Sequence, residues 1–297
     1  AIHESDLLLV LGSRLDVRQT GSVTKEFAPN AKVIHIDLDL AELKHARVHT
    51  ELQIHADIKK TLQIINDKLR NIKLPDWSEW NEQIKQWKSE YRLSYDSKKV
   101  LKPQYIIETA NKLTKGIPLV CVTGVGQHQQ WTARHFDFDF PTRILLTSGG
   151  HGAMGFDLPV SIGAQLNELD KLVLCFVGDG SLQINIQELA TIANYNLPIK
   201  IIVLDNQRFG IVSQFQNITW GKDPSCGNLK NPDFSAIAKA YGIFTETVST
   251  ANEIESKLER IFSHNGPALL HCNIDPSEDV IPMLLGGQTM DKMWPDD

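Results

Sequence analysis

The chain of 297 residues is 42% hydrophobic and carries 30 basic against 36 acidic side chains, a net charge of -6. That length can bury a sizeable core and predicts two units, and the lack of a Lys/Arg-rich stripe argues against a nucleic-acid partner. The most apolar runs, 199–204 and 172–177, fall far short of the roughly 20 residues of a membrane span, so no membrane partner is expected.

Residues 6–11 and 32–36 are continuous apolar runs closed by Gly12 and by Asp37-Leu38-Asp39, the pattern of buried parallel strands. Residues 41–46 and 58–69 read as helices. Residues 1–72 thus make a few βα units, too little for a comfortable domain, and read as the latter part of one. Residues 1–12 read as the end of a helix followed by a strand and not as a signal peptide, so the visible start is expected to be internal to a longer chain. Pro75 then opens a polar stretch in which Trp77, Trp80, Ile84, Trp87 and Tyr91 recur at spacings of three and four, one face of a helix. A linker helix within 73–103, docking on the domains, is expected; an aromatic binding surface is the functional alternative.

From Gln104 onward helix and strand signals alternate, with a helix over 105–113 and strands over 119–123, 144–147, 172–177, 199–204, 244–248 and 268–274. This predicts an α/β fold, a doubly wound parallel sheet over 104–275, with ligands at the carboxyl ends of its strands. Residues 276–297 read as an irregular tail whose Gly286-Gly287 belongs either to a lid or to a disordered end. Cys121, Cys175 and Cys272 lie in strand-like runs and read as buried thiols. With no CxxC metal site or disulfide framework, a reducing, cytoplasmic compartment is expected. His35 and His271 also lie in strand patterns and read as satisfied core or edge histidines.

The sharpest feature is Gly178-Asp179-Gly180-Ser181 directly after an apolar strand, followed 27 residues beyond Asp179 by Asn206, itself directly after the next strand. Asp-Gly with alternating Leu182, Ile184 and Ile186 also fits a hairpin. Against that, Ile186, Leu189, Ala190 and Ala193 keep helical spacing, and 194–198 supplies a stop, so a strand–turn–helix–strand crossover is predicted. Such a crossover brings Asp179 and Asn206 to one sheet edge, where a carboxylate, an amide oxygen and a nearby carbonyl suit Mg²⁺. Gly180 admits close approach, and a helix starting near Ser181 offers N–H groups to a diphosphate. The turns Gly124-Val125-Gly126-Gln127-His128-Gln129 and 148–155 point to the same edge. The first could open a dinucleotide fingerprint, but Gln129 stands where the third glycine belongs, so a nicotinamide-dependent dehydrogenase is an alternative without its pattern.

The runs GDGSLQINIQEL, LDNQRFGIVSQFQ, TGVGQHQQW, TSGGHGAMGFDLP and PMLLGGQTMDKMW resemble the diphosphate-binding domain of the acetolactate synthase family of thiamine-diphosphate enzymes. LLLVLGSRLDVRQTG, VIHIDLDLAEL and IHADI resemble the later part of that family's Rossmann-like central domain. The resemblance implies thiamine diphosphate held in a V shape through magnesium, in a homo-oligomer whose sites lie between subunits. It implies decarboxylation of a 2-oxo acid, pyruvate, and carboligation to a second 2-oxo acid in branched-chain amino-acid biosynthesis. Carried over residue by residue, Asp179, Asn206 and the carbonyl of Arg208 match metal ligands. Gly126, Gln127, His128, Met154, Gly180, Ser181 and Gly210 match cofactor-binding positions, and Met154 and Phe215 catalytic-site positions.

Several positions depart from the family pattern. Asp205-Asn206 replaces the usual Asn-Asn, Phe215 a tryptophan and Ile211 a methionine, while Gln130 and Asp157 are unusual in their motifs. A larger, sugar-derived acceptor is therefore an alternative. The flavin pattern is met only by Arg14, Asp37 and Asp57, with Asp16-Val17-Arg18 where Asp-Asp-Arg is usual, so FAD is expected to bind weakly or not at all. The family's activating glutamate belongs to a domain that would precede Ala1. The chain by itself is expected not to turn over, and a non-catalytic binding fragment is the remaining alternative.

Overall fold

Apolar runs near the start of the chain pair into a parallel sheet of β1 (Leu7–Leu11), β2 (Lys32–Asp37) and β3 (Leu52–His55), in that order. The computed structural model describes residues 1–96, 100–221 and 227–295, and the chain divides into two units, Ala1–Leu93 with Ile281–Asp297, and Ser94–Val280. In the first unit α1 (Val17–Thr20), α2 (Leu40–Lys44) and α3 (Ile58–Leu69) follow the three strands. Each starts on an aspartate, Asp16, Asp39 or Asp57, whose carboxylate accepts a backbone N–H of the first turn, which satisfies a donor the helix cannot pair internally. Val10, Phe27 and Val33 form the core, with Met290 of the C-terminal segment packed on it.

The helix of recurring aromatics is α4 (Ser78–Glu90). Trp80 and Trp87 meet edge to face at 5.6 Å, and none of its residues is fully buried. Residues 97–99 of the expected linker lie outside the described residues. The C-terminal segment is tied to the first unit by the N–H of Gly287, which donates to Ser22 Oγ at 2.8 Å. His35 is buried as expected but not satisfied: neither ring nitrogen has a hydrogen-bond partner, and Asp37 Oδ2 stands 3.9 Å from Nε2.

The second unit is a six-stranded sheet of β4 (Leu119–Thr123), β5 (Arg143–Thr147), β6 (Leu172–Gly178), β7 (Lys200–Asp205), β8 (Phe244–Val248) and β9 (Ala268–Asn273), in the order β5-β4-β6-β7-β9-β8. All pairs are parallel. Helices connect them: α5 (Pro103–Leu113) leads in, α6 (Gln127–His135) joins β4 to β5, and α7 (Asp157–Asn167) joins β5 to β6. Beyond β6 come α8 (Asp179–Ile184) and α9 (Glu188–Asn194), then α10 (Gly210–Trp220) and α11 (Phe234–Ala240) after β7, and α12 (Ile254–Ser263) between β8 and β9. The central strands β4 and β7 are buried at every residue, as strands covered on both faces must be, which is why they read as unbroken apolar runs. Cys121, Cys175 and Cys272 are buried and free, and burial pushes all three thiols up. The fourth cysteine, Cys226, lies outside the described residues. Among the described residues no helix is long and apolar enough to cross a membrane.

The hairpin alternative at 178–181 is excluded, because β6 passes directly into α8 and β7 returns parallel beside β6. The expected single helix is two short ones. Between them Asn185 turns its amide back to donate to the Gly155 carbonyl at 2.7 Å. Ahead of α5, Lys102 Nζ donates to Asp275 at 2.7 Å and to Glu278, pinning the segment after β9 that runs on to the site.

Candidate active site

The chain runs from β4 outward to β5 and then back across to β6, so the direction of strand succession reverses between β4 and β6. Open parallel sheets bind ligands at such a reversal, outside the carboxyl ends of the strands. After β4 the chain turns at Gly124 and at Gly126, whose φ is +149°, and α6 starts with Gln127 and His128. After β6, α8 opens with Asp179, Gly180 and Ser181. After β7, Asn206 leads through Gln207, at a left-handed φ of 56°, to Arg208 and to Gly210 at the start of α10.

These turns line a narrow cleft, open to solvent, of about 60 Å³. All the residues expected at the cofactor or metal line it: Gly126, Gln127, His128, Met154, Asp179, Gly180, Ser181, Asn206, Arg208 and Gly210. Phe215 is not among the lining residues; it stands on α10 one turn beyond Ile211, which does line the cleft, and is 46% exposed. Trp131, Phe209 and Val212 also line it, without an expectation from the sequence. For Trp131 a signal existed, since it lies four residues beyond Gln127 on the same helical face.

Asp179 is buried at 3% exposure. Its Oδ1 accepts the N–H of Gly180 at 2.8 Å and its Oδ2 accepts from Asn231 Nδ2 at 2.7 Å. Asp205, equally buried, accepts from the same Asn231 nitrogen at 2.7 Å and pairs with His271 Nε2 at 2.8 Å. Burial and the Asp205 charge push the Asp179 carboxyl up to about 7. Burial acts on Asp205 in the same direction, but hydrogen bonds from His271 and Asn231 outweigh it and hold that carboxyl below the usual range. His271 is thus a buried partner of Asp205 through Nε2, while its Nδ1 has no hydrogen-bond partner, so the expected satisfied histidine is satisfied on one side only.

Asn206 donates through Nδ2 to Gln127 Oε1 at 3.0 Å, and Gln127 in turn donates to Gln214 Oε1 at 3.0 Å. Gln127 therefore braces the amide of Asn206 within the protein. Gly210 leaves room for this contact: a Cβ there would collide with Gln127 Oε1 and stand 2.8 Å from Asn206 Nδ2, so those side-chain ends would have to move. Arg208 is anchored by Nη2, which donates to Asp279 Oδ1 and to the Glu278 carbonyl, each at 2.8 Å. Residues 278–280, expected as tail, thus help to build the site.

Beneath the turns, Asp157 is buried at the start of α7 and accepts from the N–H of Gly124 and from Ser181 Oγ, with His128 Nε2 at 3.2 Å. Burial acts to raise its carboxyl, yet His128, Ser181 and Gly124 together hold it below the usual range. Gly155 N–H donates to Ser181 Oγ at 2.9 Å, drawing the 148–155 loop, and Met154 with it, onto α8.

Among the described residues no three His, Cys, Asp or Glu side chains form a metal cage. The cleft instead offers one carboxylate, one side-chain amide oxygen and a backbone carbonyl, the hard mixed donor set of a magnesium site completed by phosphate and water.

The model of the thiamine pyrophosphate enzyme C-terminal TPP binding domain matches residues 124–272, and that of the thiamine pyrophosphate enzyme central domain matches residues 1–65. The chain is 39% identical over 99% of its length to the acetolactate synthase large subunit of Haemophilus influenzae, covering 52% of that protein. It is 36% identical over 99% of its length to the acetolactate synthase isozyme 3 large subunit of Escherichia coli, covering 52%, and 39% identical over 97% to the chloroplastic acetolactate synthase 1 of Zea mays, covering 46%. The chain spans about half the length of these relatives. The dehydrogenase alternative falls with these matches, because the strand, glycine turn and helix at 119–135 lie in a domain of another cofactor class: the chain belongs to the thiamine pyrophosphate enzymes and resembles acetolactate synthase large subunits from end to end.

Proposed function

We propose that the full-length protein binds thiamine diphosphate and Mg²⁺ in this cleft, decarboxylates pyruvate and joins the resulting two-carbon unit to a second 2-oxo acid. The observation that carries the reading is the convergence of Asp179, Asn206 and Arg208 with the turns at Gly126 and Gly180 in one cleft at the reversal of strand order. When bound, the cofactor supplies a thiazolium ring that acts as an electron sink for carbanion chemistry. The protein's part is binding, orientation and exclusion of water. Asp179, Asn206 Oδ1 and the Arg208 carbonyl hold the metal. His128, Gly180 and Ser181 face the diphosphate, with Asp157 holding His128 and Ser181 from below. Met154 supports the ring system, and Trp131, Phe209 and Ile211 keep the cleft apolar.

Phe215 follows Ile211 by four residues on α10, so both stand on one helical face, and we assign that face to the acceptor. Branched-chain amino-acid biosynthesis in the cytoplasm, in a homo-oligomer with sites between subunits, is the setting that fits. The first unit gives little support for FAD. Arg14 pairs with Asp16 at 3.1 Å, Asp37 accepts the N–H of Asp39 at 2.7 Å and Asp57 caps α3, and this local engagement supports the expectation of weak or absent flavin binding.

The test is formation of acetolactate from pyruvate by the purified full-length protein. Turnover should need both thiamine diphosphate and Mg²⁺ and stop on chelation. Turnover indifferent to chelator, or none on any 2-oxo acid under full loading, would refute the reading.

A further inference from the structure

Two carboxylates stand at the ends of neighbouring strands, Asp179 directly after β6 and Asp205 closing β7, and both are 3% exposed. Like charges buried side by side repel, so something must hold them in place. One group reaches both, a neutral amide. Asn231 Nδ2 carries two hydrogens and stands 2.7 Å from Asp179 Oδ2 and 2.7 Å from Asp205 Oδ1, one donor for each. Its Oδ1 accepts from Gln183 Nε2 at 2.9 Å, and Gln183 lies on α8, the helix that Asp179 begins. The amide is thus satisfied on both sides and oriented by the element it acts upon.

The two carboxylates are not equally dependent on it. Asp205 has further partners in His271 Nε2 and in the N–H of Gln207 at 3.1 Å. Asp179 accepts the N–H of the very next residue and lies within hydrogen-bond reach of the Asp205 carboxyl, and Asn231 is the neutral side-chain amide that reaches it from across the fold.

We propose that Asn231 is a positioning residue of the metal site, its amide bridging Asp179 and Asp205 and fixing the Asp179 carboxylate for a divalent cation; this rests on the metal role proposed above for Asp179. Partners that orient a ligand typically change metal affinity about 10–100-fold when removed. A residue that only stiffens the loop ahead of α11 would alter melting temperature and leave metal affinity alone.

The experiment uses the full-length enzyme and its Asn231→Leu variant. MgCl₂ is titrated at saturating thiamine diphosphate and followed by tryptophan fluorescence, since Trp131 lines the cleft; kcat at saturating Mg²⁺ and the melting temperature of the metal-free protein are measured beside it. The expected result is an apparent Kd for Mg²⁺ raised about 10–100-fold, with kcat recovered when Mg²⁺ is saturating. The same substitution in an Asp205→Asn background should cost less, because only one carboxylate then remains to be held. An unchanged Kd in Asn231→Leu, with wild type plainly Mg²⁺-dependent, overturns the positioning role alone; wild-type cofactor binding that ignores Mg²⁺ overturns the metal reading and this with it. Should Asn231→Leu fail to fold, Gln183→Leu removes the contact that orients the amide. It must raise the Kd in the same direction by a smaller factor, and no rise there also overturns the proposal.

Discussion

Asp16, Asp39 and Asp57, in the turns after β1, β2 and β3, each accept a backbone N–H two or three residues further along the chain. Asp179 and Asn206, in the turns after β6 and β7, are held across the fold, by Asn231 at a separation of 52 residues and by Gln127 at 79. The two sheets are alike in being parallel with helices following their strands, so the chain has the same local opportunity at both edges. In the first unit the acids are satisfied locally and serve the helix they begin. In the second, Asp179 and Asn206 also accept a near N–H, from Gly180 and Arg208, but both are buried and held by distant side chains as well, which makes their geometry a property of the whole unit. A rigid surrounding shell of this kind separates a binding site from a set of caps.

The strongest way to break this contrast is Asp179→Ala in the full-length protein. Removing one hard ligand and its charge is expected to abolish magnesium-dependent binding of thiamine diphosphate, measured by calorimetric titration. Unchanged affinity would place Asp179 with the helix caps of the first unit. Gly210→Ala probes the brace: the new Cβ must push aside Gln127 or Asn206, and a drop in cofactor affinity of about 10–100-fold is expected. If affinity holds while melting temperature falls, the Gln127–Asn206 contact belongs to packing alone.

The same contrast governs how much could be read from sequence. β4 and β8 have the bounds expected from their residues, and the nearness of Asp179 to Asn206 followed from the handedness of the crossover. β3 escaped notice because Leu52 and Ile54 alternate with Gln53 and His55 over only four residues, a weak apolar signal. Asn231 left no sequence signal, since it lies outside any helix or strand and acts over 52 residues. Residues 278–280 looked like tail because they carry no period, yet Arg208 and Gln214 bind their backbone. Phe215 was legible only as a departure from a family pattern; within this chain its side chain stands half-exposed on α10.

Phe215→Trp gives a smaller effect. Acceptors differing by one methylene are separated by about 1–3 kcal/mol where a wall contacts them fully. Because Phe215 stands beside the cleft lining, a shift near the low end, about 1 kcal/mol, is expected in the product ratio from pyruvate competing with 2-oxobutyrate. An indole at this half-exposed position has room, so melting temperature should hold. An unchanged ratio would remove Phe215 from the acceptor side.

The smallest effect belongs to the first unit and is the sharpest check on the comparison. Asp57 caps α3 by accepting the N–H of Lys60 at 2.9 Å, and loss of such a cap costs about 1 kcal/mol, a melting shift of about 2–4 °C. Asp57→Ala should show that loss in calorimetry of the full-length protein, with thiamine diphosphate affinity and turnover intact. Absorbance spectra of freshly purified wild type and variant should both lack the band of an oxidised flavin, because Arg14, Asp37 and Asp57 are already engaged with near neighbours along the chain. A stoichiometric flavin band in the wild type that disappears in Asp57→Ala would reverse this. The aspartate at the end of β3 would then be a ligand-holding group as well as a cap, and local satisfaction would no longer distinguish one sheet edge from the other.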